Sequence, residues 1–354
     1  MPEEIDMQRV EQFAQRAFGD VKGQMVVLMC NLGDRLGLFK ELSKGPARAE
    51  ELAERTGLNT RYVEEWLNCL TCAEYIEYDP DRQKFTLPPE HAAVVAHEGG
   101  PAFFGGMYQE MPALWSVLPQ LTEAFQTGGG VPIEAYDDCW WHGMERFTGT
   151  WFENFLLQEW IPEADGIERK LEGGGHIADV GCGRGKALVK IAEAYPEVTA
   201  VGYDLFDENV AAARERAEQA GVTDRIRFEK ADVTRGLPES FDVIMTFDAA
   251  HDFSDPAAAF REIHSALKPD GSYLVLEFRV DEDLEGNIGP KGAVFYGIST
   301  AYCMTTALED GGAGLGTCGL HESAMRNLCD EAGFESVDVV PFEDPFNILY
   351  QAQA

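Results

Sequence analysis

His176-Ile-Ala-Asp-Val-Gly-Cys-Gly-Arg-Gly-Lys186 is the stretch that decides the fold of this 354-residue chain. Its first residues are apolar and typical of a strand, and three glycines alternate with other residues at its end. A helical pattern then begins at Lys186 and stops before Pro196. Glycine has no Cβ and tolerates positive φ, so such a loop lets a ligand approach the backbone closely. The stretch therefore predicts a strand, a ligand-binding loop and a helix.

A second strand, Val198–Asp204, follows that helix and ends in an acid. A carboxylate at this place can accept hydrogen bonds from both hydroxyls of a ribose. The glycine spacing differs from the dinucleotide fingerprint G-x-G-x-x-G, because the third glycine comes one residue early and Lys186 takes its position. The triphosphate-binding pattern G-x-x-x-x-G-K-[ST] is also missing. The pattern thus favours a nucleoside cofactor of another kind.

The segment Asp-Val-Gly-Cys-Gly-Arg-Gly resembles motif I of the class I S-adenosylmethionine-dependent methyltransferases. The resemblance implies a Rossmann-like α/β sheet of seven strands, with S-adenosylmethionine as cofactor and S-adenosylhomocysteine as product. It also implies that the loop faces the methionine part of the cofactor, that Asp204 holds the ribose, and that Asp232 lies near the adenine. The cofactor contacts predicted in this way are Asp179, Gly181, Cys182, Gly183, Gly185, Asp204, Leu205, Asp232, Val233 and Asp248.

From about Gly166 onward, strand and helix patterns alternate, which predicts a parallel sheet. Further strands are expected at 225–232, 241–248, 271–280, 337–342 and 346–351. A long Gly-rich insertion, 283–319, is predicted around one helix, 294–308. Three domains follow from the whole pattern: 1–99, 100–165 and the cofactor domain 166–354.

The first domain reads as helices over 8–19, 23–42, 49–57 and 61–72, followed by a hairpin over 75–87. Two short helices followed by a hairpin are typical of a winged helix-turn-helix. Its second helix carries one base and two acids, whereas a DNA-reading helix is rich in arginine and lysine. The module resembles the dimerisation domain of small-molecule O-methyltransferases. We therefore expect a homodimer, to which the apolar positions of residues 25–36 contribute, and we do not expect nucleic-acid binding.

Residues 100–165 form an aromatic-rich helical segment that is interrupted at Gly128. Clustered aromatic side chains before a cofactor domain can line an apolar substrate pocket, although core packing is the commoner role for any one of them. The candidate substrate contacts are Phe104, Tyr108, Trp141, His142 and, from the later insertion, Tyr302.

Asp248-Ala-Ala-His251-Asp-Phe-Ser-Asp-Pro256 follows the fourth strand, and in open α/β sheets the chemistry lies at the carboxyl ends of strands. A histidine with a pKa near ~6.5 suits deprotonation of a phenol or enol, while a helix-capping histidine is an equal alternative from the residues alone. The segment resembles the His-Asp-Trp-Ser-Asp motif of plant and polyketide O-methyltransferases, with Phe253 in place of tryptophan. That resemblance implies that His251 is a general base and that Glu277 orients it. Glu322 is a looser match for a second acid.

Composition narrows the possible partners and the possible compartment of the protein. The net charge of −34, from 62 acids against 28 bases, opposes approach to DNA phosphates and anionic lipids, and no apolar run reaches the ~18 residues of a membrane span. The acidic N-terminus is unlike a signal peptide. The eight cysteines show no disulfide framework, and Cys69 and Cys72 in an apolar helix are expected to be buried thiols rather than metal ligands. We expect a cytoplasmic enzyme without a metal.

A small-molecule O-methyltransferase is the leading hypothesis, and an N-methyltransferase is the near variant. A winged-helix regulator that senses S-adenosylmethionine and an inactive scaffold are the alternatives from other classes. The acidic second helix argues against the regulator, and the intact glycine loop, Asp204 and His251 argue against the scaffold.

Overall fold

The computed structural model describes residues 5–354; residues 1–4, the start of the acidic N-terminal segment, lie outside the described residues. The chain divides into two compact units. The first comprises the chain up to Pro112 together with Asp138–Thr150, and the second comprises Ala113–Asp137 together with Trp151–Ala354. Residues 100–165 therefore contribute to both units.

The first half of the chain is helical except for one hairpin. In order, its elements are α1 (Met7–Arg35), α2 (Leu38–Leu42), α3 (Ala49–Thr56), α4 (Thr60–Cys72), β1 (Glu77–Asp79), β2 (Lys84–Thr86), α5 (Pro89–Val95), α6 (Gly105–Ser116), α7 (Leu118–Thr127), α8 (Cys139–Trp151), a π-helix (Phe152–Trp160), α9 (Ile161–Glu163) and α10 (Ile167–Glu172). A short 3₁₀ helix, Ile133–Ala135, precedes α8.

The second half alternates strands and helices. Its elements are β3 (His176–Val180), α11 (Lys186–Ala194), β4 (Thr199–Asp204), α12 (Asp207–Ala220), β5 (Ile226–Lys230), β6 (Phe241–Phe247), α13 (Pro256–Ala266), β7 (Leu267–Phe278), α14 (Leu284–Asn287), α15 (Pro290–Ala301), α16 (Cys303–Ala307), α17 (Glu322–Ala332), β8 (Ser336–Val340) and β9 (Asn347–Gln353). Short 3₁₀ turns follow β5 and β6 at Val233–Arg235 and Ala250–Asp252, and another, Glu309–Gly311, follows α16.

The seven strands of the second unit form one sheet in the order β5-β4-β3-β6-β7-β9-β8. The first five strands in that order run parallel, and β9 is antiparallel to both of its neighbours. The chain adds β4 and β5 on one side of β3 and then β6 and β7 on the other side. The carboxyl ends of β3, β4 and β6 therefore meet at a topological switch point, where ligands bind in such sheets. The predicted cofactor loop follows β3 at this point.

The predicted helices 8–19 and 23–42 are wrong as two separate elements, because α1 is one helix of 29 residues and the chain bends only at Leu36–Gly37. Gly19 and Gly23 lie inside it. Glycine costs about 1 kcal/mol in a helix interior but does not by itself end the helix. Asp6 caps the start of α1 by accepting the backbone N–H groups of Gln8 and Arg9 at 2.9 and 3.3 Å.

The hairpin of the winged helix is shorter than predicted, and the predicted helix 294–308 is broken in two at Tyr302, whose φ of −142° and ψ of −75° leave the helical region. Cys69 and Cys72 lie in α4 as expected, but Cys72 is exposed, which corrects the expectation that both thiols are buried. Among the described residues, none of the helices combines the length and the hydropathy needed to cross a membrane.

Arg146 of α8 holds several helices of the first unit together. Its guanidinium donates two parallel hydrogen bonds to Asp34, at 2.7 and 2.9 Å, and its Nε donates to Glu98 at 2.7 Å. Gln109 accepts a further bond at 2.6 Å, and the ring of Phe103 lies below the guanidinium at 5.3 Å. The Arg146 and Asp34 side chains are only 23% and 14% exposed, so this pair is well shielded from water.

We predict that Arg146→Ala lowers the free energy of unfolding by about 2–4 kcal/mol, because it leaves a shielded carboxylate without its partner. Arg146→Lys should recover only part of this, since an ammonium cannot replace the two parallel bonds. Arg61 of α4 is the control: it pairs with Glu64 and Glu65 but is 66% exposed, so Arg61→Ala should cost less than about 1 kcal/mol in the same urea titration. Equal losses in the two alanine variants would contradict the prediction.

Candidate active site

The loop after β3 requires glycine at two positions for different reasons. Gly181 has a φ of +74°, and a Cβ there would lie 2.7 Å from the Cβ of Ala249 in the turn after β6. Gly185 also has a φ of +74°, and its Cβ would lie 2.6 Å from the ring of Phe228 on β5. These glycines allow the loop to lie against the turn after β6 and against the Phe228 ring of β5.

Asp204 at the end of β4 fixes the position of this loop. Its carboxylate accepts hydrogen bonds from the backbone N–H groups of Gly183 and Phe206 at 2.9 and 3.0 Å and from the side chain of Asn209 at 3.2 Å. Burial raises the pKa of Asp204, although these hydrogen bonds oppose that shift. The predicted ribose acceptor is therefore held rigidly beside the glycine loop.

Asp179, the penultimate residue of β3, lies in a different environment. It is 2% exposed, and its Oδ1 has no hydrogen-bond partner among the described residues. Burial, together with the negative charge of Asp204, raises its pKa to about 7. A buried carboxylate oxygen without a donor, next to the glycine loop, is suited to a cationic or hydrogen-bonding ligand.

The remaining predicted cofactor residues follow the neighbouring strands. Cys182 and Val233 are buried, Leu205 is exposed, and Asp232 caps the turn after β5 by accepting the N–H of Thr234 at 3.0 Å. Asp248 after β6 has a φ of +56°, a strained conformation for a residue other than glycine, and burial raises its pKa well above its usual range. All of these residues lie at the carboxyl edge of the parallel strands.

His251 lies in the turn after β6 and is 2% exposed. Its Nδ1 is 2.7 Å from Oε2 of Glu277, which is on β7 and equally buried. The other oxygen of Glu277 accepts the backbone N–H groups of Ala250 and His251 at 3.0 and 3.2 Å. Glu277 thus orients both the imidazole ring and the turn that carries it.

Asp252 faces the other side of the ring, with its Oδ1 3.4 Å from Nε2 of His251. The thiol of Cys303 on α16 belongs to the same cluster and accepts a hydrogen bond from the Thr317 hydroxyl at 3.2 Å. Sequence reasoning missed Cys303 and Thr317, because they are more than fifty residues from His251 and no local pattern connects them. Glu322 is not the second acid: it is exposed and pairs with Arg326 at 2.8 Å.

The pKa values of His251, Asp252 and Cys303 reflect their burial next to one another and to Glu277. Burial alone lowers the pKa of His251, but the carboxylates of Glu277 and Asp252 outweigh it and raise the pKa well above its usual range. Burial raises the pKa of Asp252 and raises that of Cys303 to about 12. These shifts favour the protonated form of the imidazole and the neutral form of the thiol.

His251, Asp252 and Cys303 are also of the residue types that bind zinc, and their donor atoms lie within 4.8 Å of one another. In this structure Nε2 of His251 and Oδ1 of Asp252 form an ion pair at 3.4 Å, and the Cys303 thiol lies beside them. Glu277 completes that cluster from the other side of the ring.

The predicted substrate contacts are spread over both units. In the first unit, Tyr108 is buried in the core, with Phe104 packed beside it at a ring distance of 6.4 Å. Trp141 is half-buried, and His142 is exposed, with its Nδ1 2.9 Å from the carbonyl oxygen of Asp138. In the second unit, Tyr302 is buried next to Cys303 and packs edge-on against Tyr136 at 5.1 Å.

Comparison with known proteins identifies the family. Residues 171–310 match the family described as Methyltransferase domain, and residues 24–97 match the Rv2258c-like winged HTH domain. The chain is 30% identical over 258 residues to 3-hydroxy-5-methyl-1-naphthoate 3-O-methyltransferase of Streptomyces sahachiroi, covering 71% of this chain and 73% of that protein. The chain belongs to the S-adenosylmethionine-dependent methyltransferases. The predicted family, cofactor and α/β fold with a winged-helix domain are confirmed.

Other relatives of this methyltransferase differ in the atom they methylate. It is 29% identical over 266 residues to an N,N-dimethyltransferase of Streptomyces rimosus, covering 70% of this chain and 73% of that one. Among solved structures, a neocarzinostatin-biosynthesis O-methyltransferase in complex with S-adenosylhomocysteine and 1,4-dihydroxy-2-naphthoic acid superimposes with a TM-score of 0.63. It shares 18% identity, over 96% of this chain and 98% of that one, which shows a common fold.

We predict that Asp204→Ala weakens S-adenosylhomocysteine binding by about 1.5–3 kcal/mol, the scale for losing a charged hydrogen-bond acceptor. Isothermal titration calorimetry measures this directly. Asp207→Ala, which removes an exposed acid three residues further on, is the control and should bind normally. An unchanged affinity in Asp204→Ala would refute the assignment of this carboxylate to the ribose.

A second prediction concerns Asp179. Its folded pKa lies above its unfolded value, so the unliganded methyltransferase loses stability as the pH rises from about 4 to about 7. Asp179→Asn should remove that part of the pH dependence and should be at least as stable as the wild type at about pH 8, because no charge is then buried. Thermal unfolding across this pH range measures it. A clear loss of stability at about pH 8 in the unliganded variant would show that the ionised carboxylate is a structural requirement.

Proposed function

We propose that this methyltransferase transfers the methyl group of S-adenosylmethionine to a hydroxyl oxygen of an aromatic small molecule, and that His251 is the base that receives the proton. The observation that carries the proposal is the 2.7 Å contact between Nδ1 of His251 and Glu277. A carboxylate on Nδ1 holds the proton there and leaves Nε2 as the basic nitrogen. The sulfonium is already an activated methyl donor, so the protein must align the acceptor and remove its proton.

The aromatic acceptor class is supported by two similar proteins. The Streptomyces sahachiroi relative is named for a hydroxynaphthoate, and the neocarzinostatin enzyme contains a dihydroxynaphthoic acid. The N,N-dimethyltransferase relative supports amine methylation as the second candidate. A panel of hydroxynaphthoates, catechols and anilines with tritium-labelled cofactor tests both, and label transferred only to the amines would refute O-methylation.

We predict that His251→Ala lowers kcat on a neutral phenol by ~10²–10⁴, the usual share of general-base catalysis, and leaves S-adenosylhomocysteine affinity unchanged. The loss should shrink for a phenol that is already ionised at the assay pH. Because the ring must be neutral to accept a proton and its pKa is raised, the wild-type rate should rise with pH through an ionisation above the usual ~6.5. His264→Ala, on α13, is the control. Full activity of His251→Ala on the neutral phenol would exclude this role.

We further propose that the methyltransferase is a homodimer built on α1. Large apolar side chains of this helix are exposed: Met25, Leu28, Leu32 and Leu36 are each 38–47% exposed, and Phe13 and Phe18 are 70% and 74% exposed. A contiguous apolar stripe of this length is unusual on a monomer and is typical of an interface.

Sedimentation at micromolar concentration should show a dimer for the wild type. The double variant Leu28→Arg/Leu32→Arg should shift the population to monomer, because it would bury four unpaired charges in the symmetric interface. Tyr62→Arg, at an 80% exposed position of α4, is the control and should remain dimeric. A wild type that sediments as a monomer would refute the proposal.

The winged helix of this methyltransferase is proposed to serve packing rather than DNA binding. Arg61, the base on α4, is paired with the acids Glu64 and Glu65 of the same helix. Because this arginine is already paired with acids of its own helix, it contributes little attraction to a nucleic-acid phosphate backbone.

The roles of the remaining site residues stay predictions: the cofactor contacts named above, and Phe104, Tyr108, Trp141, His142 and Tyr302 towards the acceptor. We also propose that the reaction needs no metal ion and that the enzyme works in the cytoplasm. The second proposal rests on its eight free cysteines.

A further inference from the structure

The imidazole of His251 has no ring nitrogen that is free to meet an acceptor. Nδ1 is engaged by Glu277 at 2.7 Å, and Nε2 faces Oδ1 of Asp252 at 3.4 Å. The side chain is 2% exposed, so an acceptor hydroxyl cannot reach the ring while Asp252 stays in place. A base that is closed off in this way needs an intermediary.

Asp252 has the geometry of that intermediary. Its side chain is 30% exposed, against 2% for His251 and 1% for Glu277. Its Oδ1 is buried beside the ring, so the exposed part of the side chain lies away from Oδ1. One oxygen therefore faces the histidine, and the other side of the carboxylate is open.

We infer that Asp252 is the group that contacts the acceptor hydroxyl and that it relays the proton to His251. This inference rests on the proposed function, because it assumes that a proton is removed from the acceptor during methyl transfer. It adds a second catalytic residue, and it makes His251 the final proton acceptor rather than the group that touches the substrate.

The acceptor O–H bond breaks and its proton passes to Oδ2 of Asp252, while the oxygen forms a bond to the methyl carbon. The S–CH₃ bond breaks with its electron pair remaining on sulfur, which leaves neutral S-adenosylhomocysteine. The carboxyl group then turns about its Cβ–Cγ bond so that the protonated oxygen faces Nε2, and the proton passes to Nε2, giving an imidazolium between the carboxylates of Glu277 and Asp252. Release of that proton to water restores the neutral ring.

The surroundings of Asp252 suit a proton carrier. Asp248 lies on the same loop as Asp252, Glu277 lies on β7, and Cys303 lies on α16. The thiol of Cys318 interacts electrostatically with His251. Burial and the neighbouring acids raise the pKa of Asp252, while His251 and the Cys303 thiol lower it. A carboxylate of raised pKa is a stronger base than an exposed one, and its pKa lies closer to that of a phenol.

The test compares Asp252→Asn with Asp255→Asn, a control that removes the N-cap carboxylate of α13 from the same loop. Both are assayed with tritiated cofactor on the hydroxynaphthoate that the acceptor panel identifies, over a range of pH, alongside His251→Ala and the double variant His251→Ala/Asp252→Asn. Calorimetry with S-adenosylhomocysteine reports folding and cofactor binding independently of the acceptor. If no panel member is methylated by the wild type, the proposed function fails rather than the relay.

We expect Asp252→Asn to lose ~10²–10⁴ in kcat at every pH, to keep its cofactor affinity, and to recover on a phenol that is already ionised. The double variant should be no slower than the slower single variant, because both residues lie on one proton path. Asp255→Asn removes only an exposed helix cap, so its kcat should stay within about threefold of the wild-type value.

Two results would overturn the relay. One is an Asp252→Asn enzyme that keeps its maximal rate while the inflection of its pH profile moves to lower pH, because Asp252 would then only raise the pKa of His251. The other is a double variant whose loss equals the product of the two single losses, because the two residues would then act independently.

Discussion

One carboxylate, that of Glu277, determines the geometry of the reaction side of this site. It is buried on β7, and it accepts three hydrogen bonds from the turn after the neighbouring strand β6, two from backbone N–H groups and one from the His251 ring. The turn and the ring are therefore fixed by the same group, so neither can move without the other. Removing a buried ionic partner of this kind costs about 3–5 kcal/mol, because the remaining donors and charge keep no partner. The register of β6 against β7 is what brings these groups together.

The cofactor side of the site also depends on buried carboxylates, and here several of them lie at one edge of the sheet. Asp179, Asp204 and Asp248 all have raised pKa values, and burial is the first cause for each of them. Gathering acids at one buried edge destabilises the unliganded protein, and Asp248 adds backbone strain through its positive φ. S-adenosylmethionine carries a sulfonium cation, and a cation bound at this edge would relieve the repulsion between these acids. Stability is reduced here in favour of ligand binding, as is common at functional sites.

The positions of the glycine loop, Asp204 and the His251 turn in the fold could be predicted from sequence because these residues follow successive strands along the chain. The glycine loop, Asp204 and the turn with His251 each stand directly after a strand, and parallel strands bring their carboxyl ends to one edge. Glu277 could be found only through resemblance, because nothing local marks a strand residue as an orienting acid. Cys303 and Thr317 were missed, since their approach to His251 depends on how the insertion folds. Gly19 and Gly23 misled the prediction at α1, because the cooperativity of helix formation carried the helix past them.

The insertion between β7 and α17 places Cys303 beside the His251 cluster through contacts of its own. The chain leaves helical geometry at Tyr302, and this break sets the start of α16 and with it the place of Cys303 beside the His251 cluster. The loop before α8 supports the break: the Tyr136 hydroxyl donates to the carbonyl oxygen of Ala301 at 2.6 Å, and the Val131 N–H donates to that of Thr305 at 3.1 Å. None of these contacts involves the glycine loop or Asp204. Changes in the insertion can therefore alter what faces Asp252 without disturbing cofactor binding, which is consistent with one fold that serves relatives named for oxygen and for nitrogen acceptors.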